Sequence, residues 1–542
     1  MIDQKSEPTA VQAIARRLAD AGCRYAFGIP GGEVIAMIDA LEEAGIRFIL
    51  TKHENGAGFM AEGVFHMTGA PAILVSTLGP GAANTVNVVA NAEQDRVPMI
   101  VLTGCVDPEE ALSYNHQVFD HRAMFAPITK GSFTLGDGAA DVLADRAVSL
   151  AVADRPGPVH IDLPISRQGK PLGKATVQRH AIPSPVAPAQ GPDLETARQW
   201  LAGSKTPIII AGLDVLQHKA SDDLAAFCRD FSIPLIASYK AKGILPEDDP
   251  LALGGAGLSP IADTHLLPLV RRADLIMLIG YDPIEMRTGW QHPWDPARQN
   301  VLEITSAPND HFMHQATLSF ICNVRAGIAA LRDGVNPSPT WPGGEPASAK
   351  EALSGAFGQN EEWGPTAIVE AARAALPRNG IATVDSGAHR ILLSQVWPCF
   401  AERQLIQSTG LCTMGCALPL AIGAKLAAPD LPVVAFTGDA GLEMILGELA
   451  TLRDLGLAVP VVIFTDRSLA LIELKQRQRG LKNVGVDFGG TDFAALGTAM
   501  GGYGIAVRDR AALTSALKDA LNADRFTLIS AEFDRKAYDN RL

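Results

Sequence analysis

Two aspartates in the last third of the chain have the spacing of a cation site. The apolar run Val433-Val-Ala-Phe-Thr437 leads into Gly438-Asp439-Ala440-Gly441, and 24 residues, Gly441 to Phe464, separate that turn from Thr465-Asp466 at the end of a second apolar run. Runs of this kind read as buried parallel strands, so each aspartate falls at the carboxyl end of a strand. The small residues around Asp439 allow a ligand to approach the backbone and the amides that open the next helix. Hard carboxylate oxygens suit Mg²⁺, which shares its coordination with phosphate oxygens, so the pattern points to Mg²⁺ bound to a diphosphate. A strand–glycine–helix turn also occurs with no ligand at all, and the weight rests on what accompanies it.

A second carboxylate stands in the first third. His53-Glu54-Asn55-Gly56-Ala57 follows the apolar run from Arg47 to Thr51 and opens a helical pattern. Glu54 at such a position either caps the helix or serves a ligand. Upstream lies Phe27-Gly-Ile-Pro-Gly-Gly32; downstream lie Gly79-Pro-Gly-Ala-Ala-Asn84 and Asp95-Arg-Val-Pro98.

The elements that must position these residues follow from periodicity. Strands are expected at Tyr25 to Gly28, Arg47 to Thr51, Ala72 to Thr77, Met99 to Gly104, Pro207 to Ala211, Ala273 to Ile279, Ile381 to Asp385, Val433 to Thr437 and Val461 to Asp466. Helices are expected at Thr9 to Ala21, Val34 to Ala44, Ala57 to Thr68, Gly81 to Asp95, Val324 to Leu331, Ala417 to Ala427 and Leu442 to Leu455. Helices alternating with unbroken apolar strands predict an α/β fold of doubly wound parallel sheets. The proline- and glycine-rich stretches 169–193 and 333–363 read as linkers. They divide the 542 residues into three α/β domains, 1–170, 190–335 and 360–542.

Composition narrows the function. With 46 basic against 59 acidic residues the net charge is −13, and there is no basic cluster, so nucleic acid and anionic membrane are not expected partners. The amphipathic N-terminus is not a signal peptide, and no apolar run approaches the ~20 residues of a membrane span. Seven scattered cysteines without a CxxC fit neither a disulfide framework nor a structural zinc site, and a reducing cytoplasm is the expected location.

Taken in order, these motifs closely resemble thiamine-diphosphate-dependent enzymes of the acetolactate synthase and pyruvate oxidase group. The resemblance implies a pyrimidine-binding first domain, a central domain, and a last domain that binds the diphosphate and Mg²⁺. It implies that Glu54 hydrogen-bonds N1′ of the aminopyrimidine and tunes the cofactor as its own base. Asp439, Asp466 and the main-chain carbonyl of Ser468 would hold Mg²⁺. Gly387 and His389 match a loop that touches the diphosphate, although His389 reads equally as a surface histidine. Met414 matches the bulky residue that props the cofactor in its V shape, and the carbonyl of Cys412 would receive the 4′-amino group. Pro30, Asn84, Gly438, Ala440 and Gly441 complete the cofactor contacts. Gly31 and Gly32 would leave space beside the reacting carbon, and Gln117 would stand near it, whereas His116 reads as a loop histidine. The substrate implied is a small 2-keto acid, decarboxylated and joined to an acceptor carbonyl; a simple decarboxylase or lyase is the alternative. The site would lie between two subunits of a homodimer or homotetramer.

The sequence departs from that pattern in places. Ala440 replaces a glycine, Thr465-Asp466 replaces Asn-Asn, and Cys412 stands where glycine is usual. Lys475 falls where acetolactate synthases carry a tryptophan that selects the second keto acid; it reads either as a partner for an anionic acceptor or as a solvated helix face. The central domain lacks the Arg-Phe-Asp-Asp-Arg run and has Gly280-Tyr-Asp-Pro-Ile-Glu-Met-Arg-Thr-Gly-Trp290 instead, so FAD is not expected. Arg287 there reads as a surface residue or a contact to a nucleotide phosphate.

Overall fold

The computed structural model describes residues 7–173, 184–309 and 311–542. Residues 174–183 of the expected first linker lie outside the described residues.

Strands that are apolar along their whole length must be covered on both faces, and here they form three six-stranded sheets in which every pairing is parallel. The first holds β1 (Tyr25–Ile29), β2 (Arg47–Leu50), β3 (Ala72–Ser76), β4 (Met99–Cys105), β5 (Gly131–Thr134) and β6 (Pro158–Pro164), in the order β2-β1-β3-β4-β6-β5. The second holds β7 (Pro207–Ala211), β8 (Leu235–Ser238), β9 (Ala252–Ala256), β10 (Leu275–Ile279), β11 (Asn300–Thr305) and β12 (Leu318–Ile321), in the order β12-β11-β10-β7-β8-β9. The third holds β13 (Ile381–Val384), β14 (Leu405–Gln407), β15 (Val433–Gly438), β16 (Pro460–Thr465), β17 (Tyr503–Val507) and β18 (Thr527–Glu532), in the order β14-β13-β15-β16-β18-β17. Counted from its own first strand, the third sheet has the same order as the first.

In both of those sheets the order reverses beside the first strand, at β1/β3 and at β13/β15. The crevice beyond the carboxyl ends at such a reversal is where open α/β sheets take ligands. Pro30, Gly31 and Thr77 follow β1 and β3; Asp385, Gly387 and Asp439 follow β13 and β15.

The cores follow from strand alternation. In the second sheet Ile209, Met277 and Leu302 pack to one side, while Ile208, Ile210, Ile276 and Leu278 pack to the other. In the first, Val75, Leu102 and Ile161 meet Ile14 and Leu18 of the helix Ala10–Asp20. In the third, Val384, Phe436, Phe464 and Ile529 surround Trp397.

The described chain forms two compact units. One contains the first sheet together with Gly410–Asp430 and Glu443–Val459; the other contains the second and third sheets. Within the former, Gly63 of the helix Glu54–Thr68 and Gly423 of the helix Ala417–Ala427 let two backbones touch. A Cβ on Gly63 would stand 2.3 Å from the carbonyl oxygen of Leu420, and one on Gly423 would stand 1.9 Å from that of Met60.

Three expectations need correction, the first being that the helix expected from Gly81 to Asp95 is two, Pro80–Asn84 and Val86–Gln94. The stretch 333–363 is not simply a linker, because it contains the helix Glu345–Gly355. Gly344, at φ 72°, turns the chain into it, and Pro346 sits in the first turn, where a missing N–H costs nothing. The single helix expected from Leu442 to Leu455 is two, Asp439–Glu443 and Glu448–Leu455. None of the seven cysteines is in a disulfide. Among the described residues no helix is long and apolar enough to cross a membrane.

Candidate active site

The Glu54 helix begins three residues earlier than its apolar periodicity suggests, which places Glu54 in its first turn. The cap is not Glu54 but His53, whose Nδ1 accepts the Asn55 amide at 3.1 Å. The buried Glu54 carboxylate is thereby released for other use: Oε2 accepts Asn84 Nδ2 at 3.0 Å. Oε1 makes no hydrogen bond among the described residues and faces Gly81, where an added Cβ would lie 3.3 Å away. Sequence reasoning missed the residue that holds this turn. Glu448, fully buried, accepts the amides of Lys52 and His53 through Oε1, each at 3.0 Å, and the Thr451 hydroxyl through Oε2 at 2.6 Å. Burial pushes its carboxyl above the usual range.

Two of the motif glycines, Gly31 and Gly79, are required by close approach. A Cβ on Gly31 would come within 2.3 Å of Thr77 Oγ1, which donates to Glu33 at 2.6 Å. Around Gly32 there is open space within 4 Å. Gly79, at φ 55°, packs so closely on the carbonyl of Gln117 that a Cβ would meet it at 2.3 Å. Gln117 itself is in the left-handed region at φ 60° and its side chain is exposed on a loop. Exposed beside it, His116 stacks edge-on with Tyr114, as a loop histidine does.

A buried chain of hydrogen bonds fixes that loop. The Gly79 amide donates to His121 Nε2 at 3.1 Å, so the proton of His121 is on Nδ1, which donates to Asp162 Oδ1 at 2.8 Å. Thr103 donates to the same oxygen at 2.7 Å and is bonded to His160 Nε2 at 2.7 Å, whose Nδ1 meets Ser132 Oγ at 2.8 Å. Burial favours neutral His160, whereas Asp162, although burial opposes its charge, is held well below the carboxylate range by its histidine partners. Both ring nitrogens of each histidine are engaged, so this cluster is a scaffold rather than an open metal site.

In the other unit, Asp439 opens the helix after β15. Its Oδ1 accepts its neighbour Ala440's amide at 2.8 Å, and Oδ2 accepts those of Asp466 at 3.1 Å and Arg467 at 2.7 Å. Asp466 Oδ1 accepts the Ser468 amide at 3.0 Å. The Ser468 carbonyl has no hydrogen-bond donor among the described residues. Burial raises Asp439, and burial with the nearby Asp439 charge pushes Asp466 up to about 8. Two carboxylates crowded in this way, with an adjacent carbonyl, form a hard-oxygen donor set that a divalent cation would neutralise, and Mg²⁺ fits it.

His389 is a buried residue, not a surface one. Its Nε2 is 2.8 Å from Asp385 Oδ1, and its ring stacks on Phe464 at 5.1 Å and 24°. Asp385 also accepts the Gly438 amide at 3.2 Å, and a Cβ on Gly441 would lie 2.0 Å from its Oδ2. It therefore ties together His389 and Gly438 and packs against Gly441, yet it looked in the sequence like the plain end of a strand. Cys412 and Met414 lie in Gly410–Asp430, within the Glu54 unit. Asp95 Oδ1 accepts the Gly410 amide at 2.8 Å and Asn87 Oδ1 accepts the Thr413 hydroxyl at 3.0 Å, which anchors that segment. Cys412 is in the left-handed region at φ 52°, a conformation that glycine adopts without strain. Lys475 and Arg287 are both exposed and both line one cavity.

The chain matches the family descriptions "Thiamine pyrophosphate enzyme, N-terminal TPP binding domain" over residues 8–124, "central domain" over 194–331 and "C-terminal TPP binding domain" over 385–531. It is similar to the acetolactate synthase large subunit of Lactococcus lactis, 31% identical with 85% of this chain and 81% of that protein covered. It is 26% identical to acetolactate synthase of Bacillus subtilis, over 95% of this chain and 92% of the other. It is also 30% identical to a probable 2-ketoarginine decarboxylase of Pseudomonas aeruginosa, over 92% and 89% respectively.

Proposed function

Because the chain belongs to the thiamine pyrophosphate enzyme family, whose three domain descriptions it matches in order, we propose that it is a Mg²⁺-dependent, acetolactate synthase-like carboligase, which decarboxylates a small 2-keto acid and joins the remaining fragment to an acceptor carbonyl. The observation that carries this reading is the buried Glu54 carboxylate, with Oε2 held by Asn84 and Oε1 unengaged among the described residues. Thiamine diphosphate supplies the nucleophilic carbon and the electron sink that decarboxylation needs.

The chain's own residues bind, orient and move protons. Glu54 Oε1 holds the proton at N1′ of the pyrimidine, in a turn that Glu448 keeps from shifting. Asp439, Asp466 and the Ser468 carbonyl hold Mg²⁺ against the diphosphate, and Gly438, Ala440 and Gly441 let it approach. Gly387 opens the neighbouring helix, and His389 acts through Asp385 by holding Gly438 in place. Met414 and Pro30 brace the cofactor, and the Cys412 carbonyl receives its amino group. Gln117 and Gly31 border the reacting carbon. Two copies of the chain, as a homodimer or within a homotetramer, complete each site. FAD has no part in this reading.

A simple decarboxylase is the second reading, favoured by the similarity to a probable 2-ketoarginine decarboxylase. The test is incubation with thiamine diphosphate, Mg²⁺ and a panel of 2-keto acids starting with pyruvate, with products identified by mass spectrometry. A hydroxy-keto acid supports the carboligase, and free aldehyde alone moves the reading to the decarboxylase. No consumption of any keto acid overturns both.

A further inference from the structure

A cavity of about 640 Å³ opens within the unit that holds Asp439 and Asp466. Two of its walls are helices that leave the metal-binding end of the third sheet. Ile391 belongs to the helix Ala388–Val396, which begins beside Gly387. Leu471 and Lys475 belong to the helix Ala470–Gln478, which begins directly after the Asp466–Ser468 turn. At ~1.5 Å per residue, Lys475 stands only about 8 Å along that helix from its start. The opposite wall is the helix Pro260–Arg272, with Leu267 and Arg271, and the loop carrying Arg287.

The lining is apolar in its body and cationic at three points. Arg271, Arg287 and Lys475 are exposed, and none of them makes an ion pair among the described residues. Their sequence neighbours behave differently. Arg272 pairs with Glu345 at 2.6 Å, and Arg477 pairs with Glu473 at 2.8 Å and Asp539 at 2.5 Å. Asp263, the one side-chain carboxylate in the lining, is turned to the indole N–H of Trp290 at 2.7 Å, and burial raises its carboxyl. Leu542, whose chain-end carboxylate also belongs to the lining residues, makes no ion pair with the three cations among the described residues. The cations that line the cavity are thus uncompensated.

We propose that this cavity binds the far carboxylate of an extended 2-keto dicarboxylic acid, with Lys475 and Arg287 on the carboxylate, Arg271 adding charge at the rim, and Leu267, Ile391 and Leu471 against the methylene chain. This rests on the reading of the neighbouring centre as the site of 2-keto acid chemistry, and it names the substrate class of that site. The volume accepts a chain of six carbons or more.

The test is binding of 2-oxoadipate and of 2-oxohexanoate, which has the same length but lacks the second carboxylate, to the full-length protein with thiamine diphosphate and Mg²⁺, by calorimetry. The expected result is at least ~5-fold tighter binding of 2-oxoadipate. That preference disappears in the Lys475→Gln/Arg287→Gln double variant, while 2-oxohexanoate and thiamine diphosphate bind as in the wild type. The preference should also weaken with added salt. Equal affinity of the wild type for the two acids, or an unchanged preference in the double variant, overturns the proposal. Failure of the wild type to bind thiamine diphosphate is a separate result; it overturns the proposed function and, with it, this inference.

Discussion

Glu448 holds the main-chain amide of His53 at 3.0 Å, across 395 residues of sequence. The residue after His53 is Glu54, so the aim of the candidate proton carrier depends on a carboxylate from a distant helix. Glu448→Ala would leave the buried amides of Lys52 and His53 without an acceptor. The expected cost is about 2–4 kcal/mol, read as a lower midpoint in urea unfolding. Glu448→Gln keeps an acceptor oxygen and should recover most of that stability. Equal stability of wild type and the alanine variant would remove Glu448 from this role.

Glu54→Gln keeps the size of the side chain and an oxygen for Asn84, but cannot exchange a proton at its end. Turnover should fall by about 10²–10⁴-fold while the unfolding midpoint stays near that of the wild type. Wild-type turnover in this variant would sink the assignment.

The acidity of Asp466 ties metal binding to pH. Pushed up to about 8 by burial and by Asp439, it keeps its proton in the metal-free folded protein at neutral pH, whereas in the unfolded chain it ionises near the ordinary ~4. Its raised folded pKa means that the folded state binds more protons between those values. Metal-free stability contributed by this group is therefore full below ~4 and is lost as pH rises through about 8. Mg²⁺ displaces the proton, so Mg²⁺ affinity should rise from pH 6 to pH 8 with proton release measurable by calorimetry in two buffers. Asp439→Ala should abolish both the Mg²⁺-dependent retention of thiamine diphosphate and this pH dependence. A pH-independent Mg²⁺ affinity in the wild type would reject the coupling.

Cys412 tests whether a side chain or a carbonyl matters. Glycine at φ 52° relieves strain of about 1 kcal/mol but loosens the unfolded chain, so Cys412→Gly should leave stability within ~1 kcal/mol of wild type. Activity should be kept, because the proposed contact is the main-chain oxygen. Loss of turnover with the cofactor still bound would assign a role to the thiol.

Most strands that were readable in the sequence are buried ones, but burial alone did not decide it: β6, Pro158–Pro164, is buried throughout and was not read, because His160 and Asp162 interrupt its apolar run. β7, Pro207–Ala211, is apolar at every position and ends where composition says it should. β17, Tyr503–Val507, was not read, because an edge strand with exposed Tyr503 and Ile505 lacks that signature. The motif residues Glu54, Asp439 and Asp466 were legible because each follows a strand in a pattern of small residues. Glu448, Asp385 and the His121–Asp162 pair were not. Each is an ordinary polar residue in its own segment, and its importance comes from partners 41 to 395 residues away.

The contact of Gly63 with the Leu420 backbone has a consequence for how the protein is made. The Glu54 helix leaves the ribosome with a bare glycine face and waits for the helix Ala417–Ala427, more than 350 residues later. At ~5–20 residues per second, that interval is roughly 20–70 s. During it the nascent chain carries an incomplete first unit while the whole second sheet emerges. The order of synthesis and the order of assembly therefore differ. A nascent chain stalled before residue 410 should remain a client for chaperones, even though its first sheet is already present.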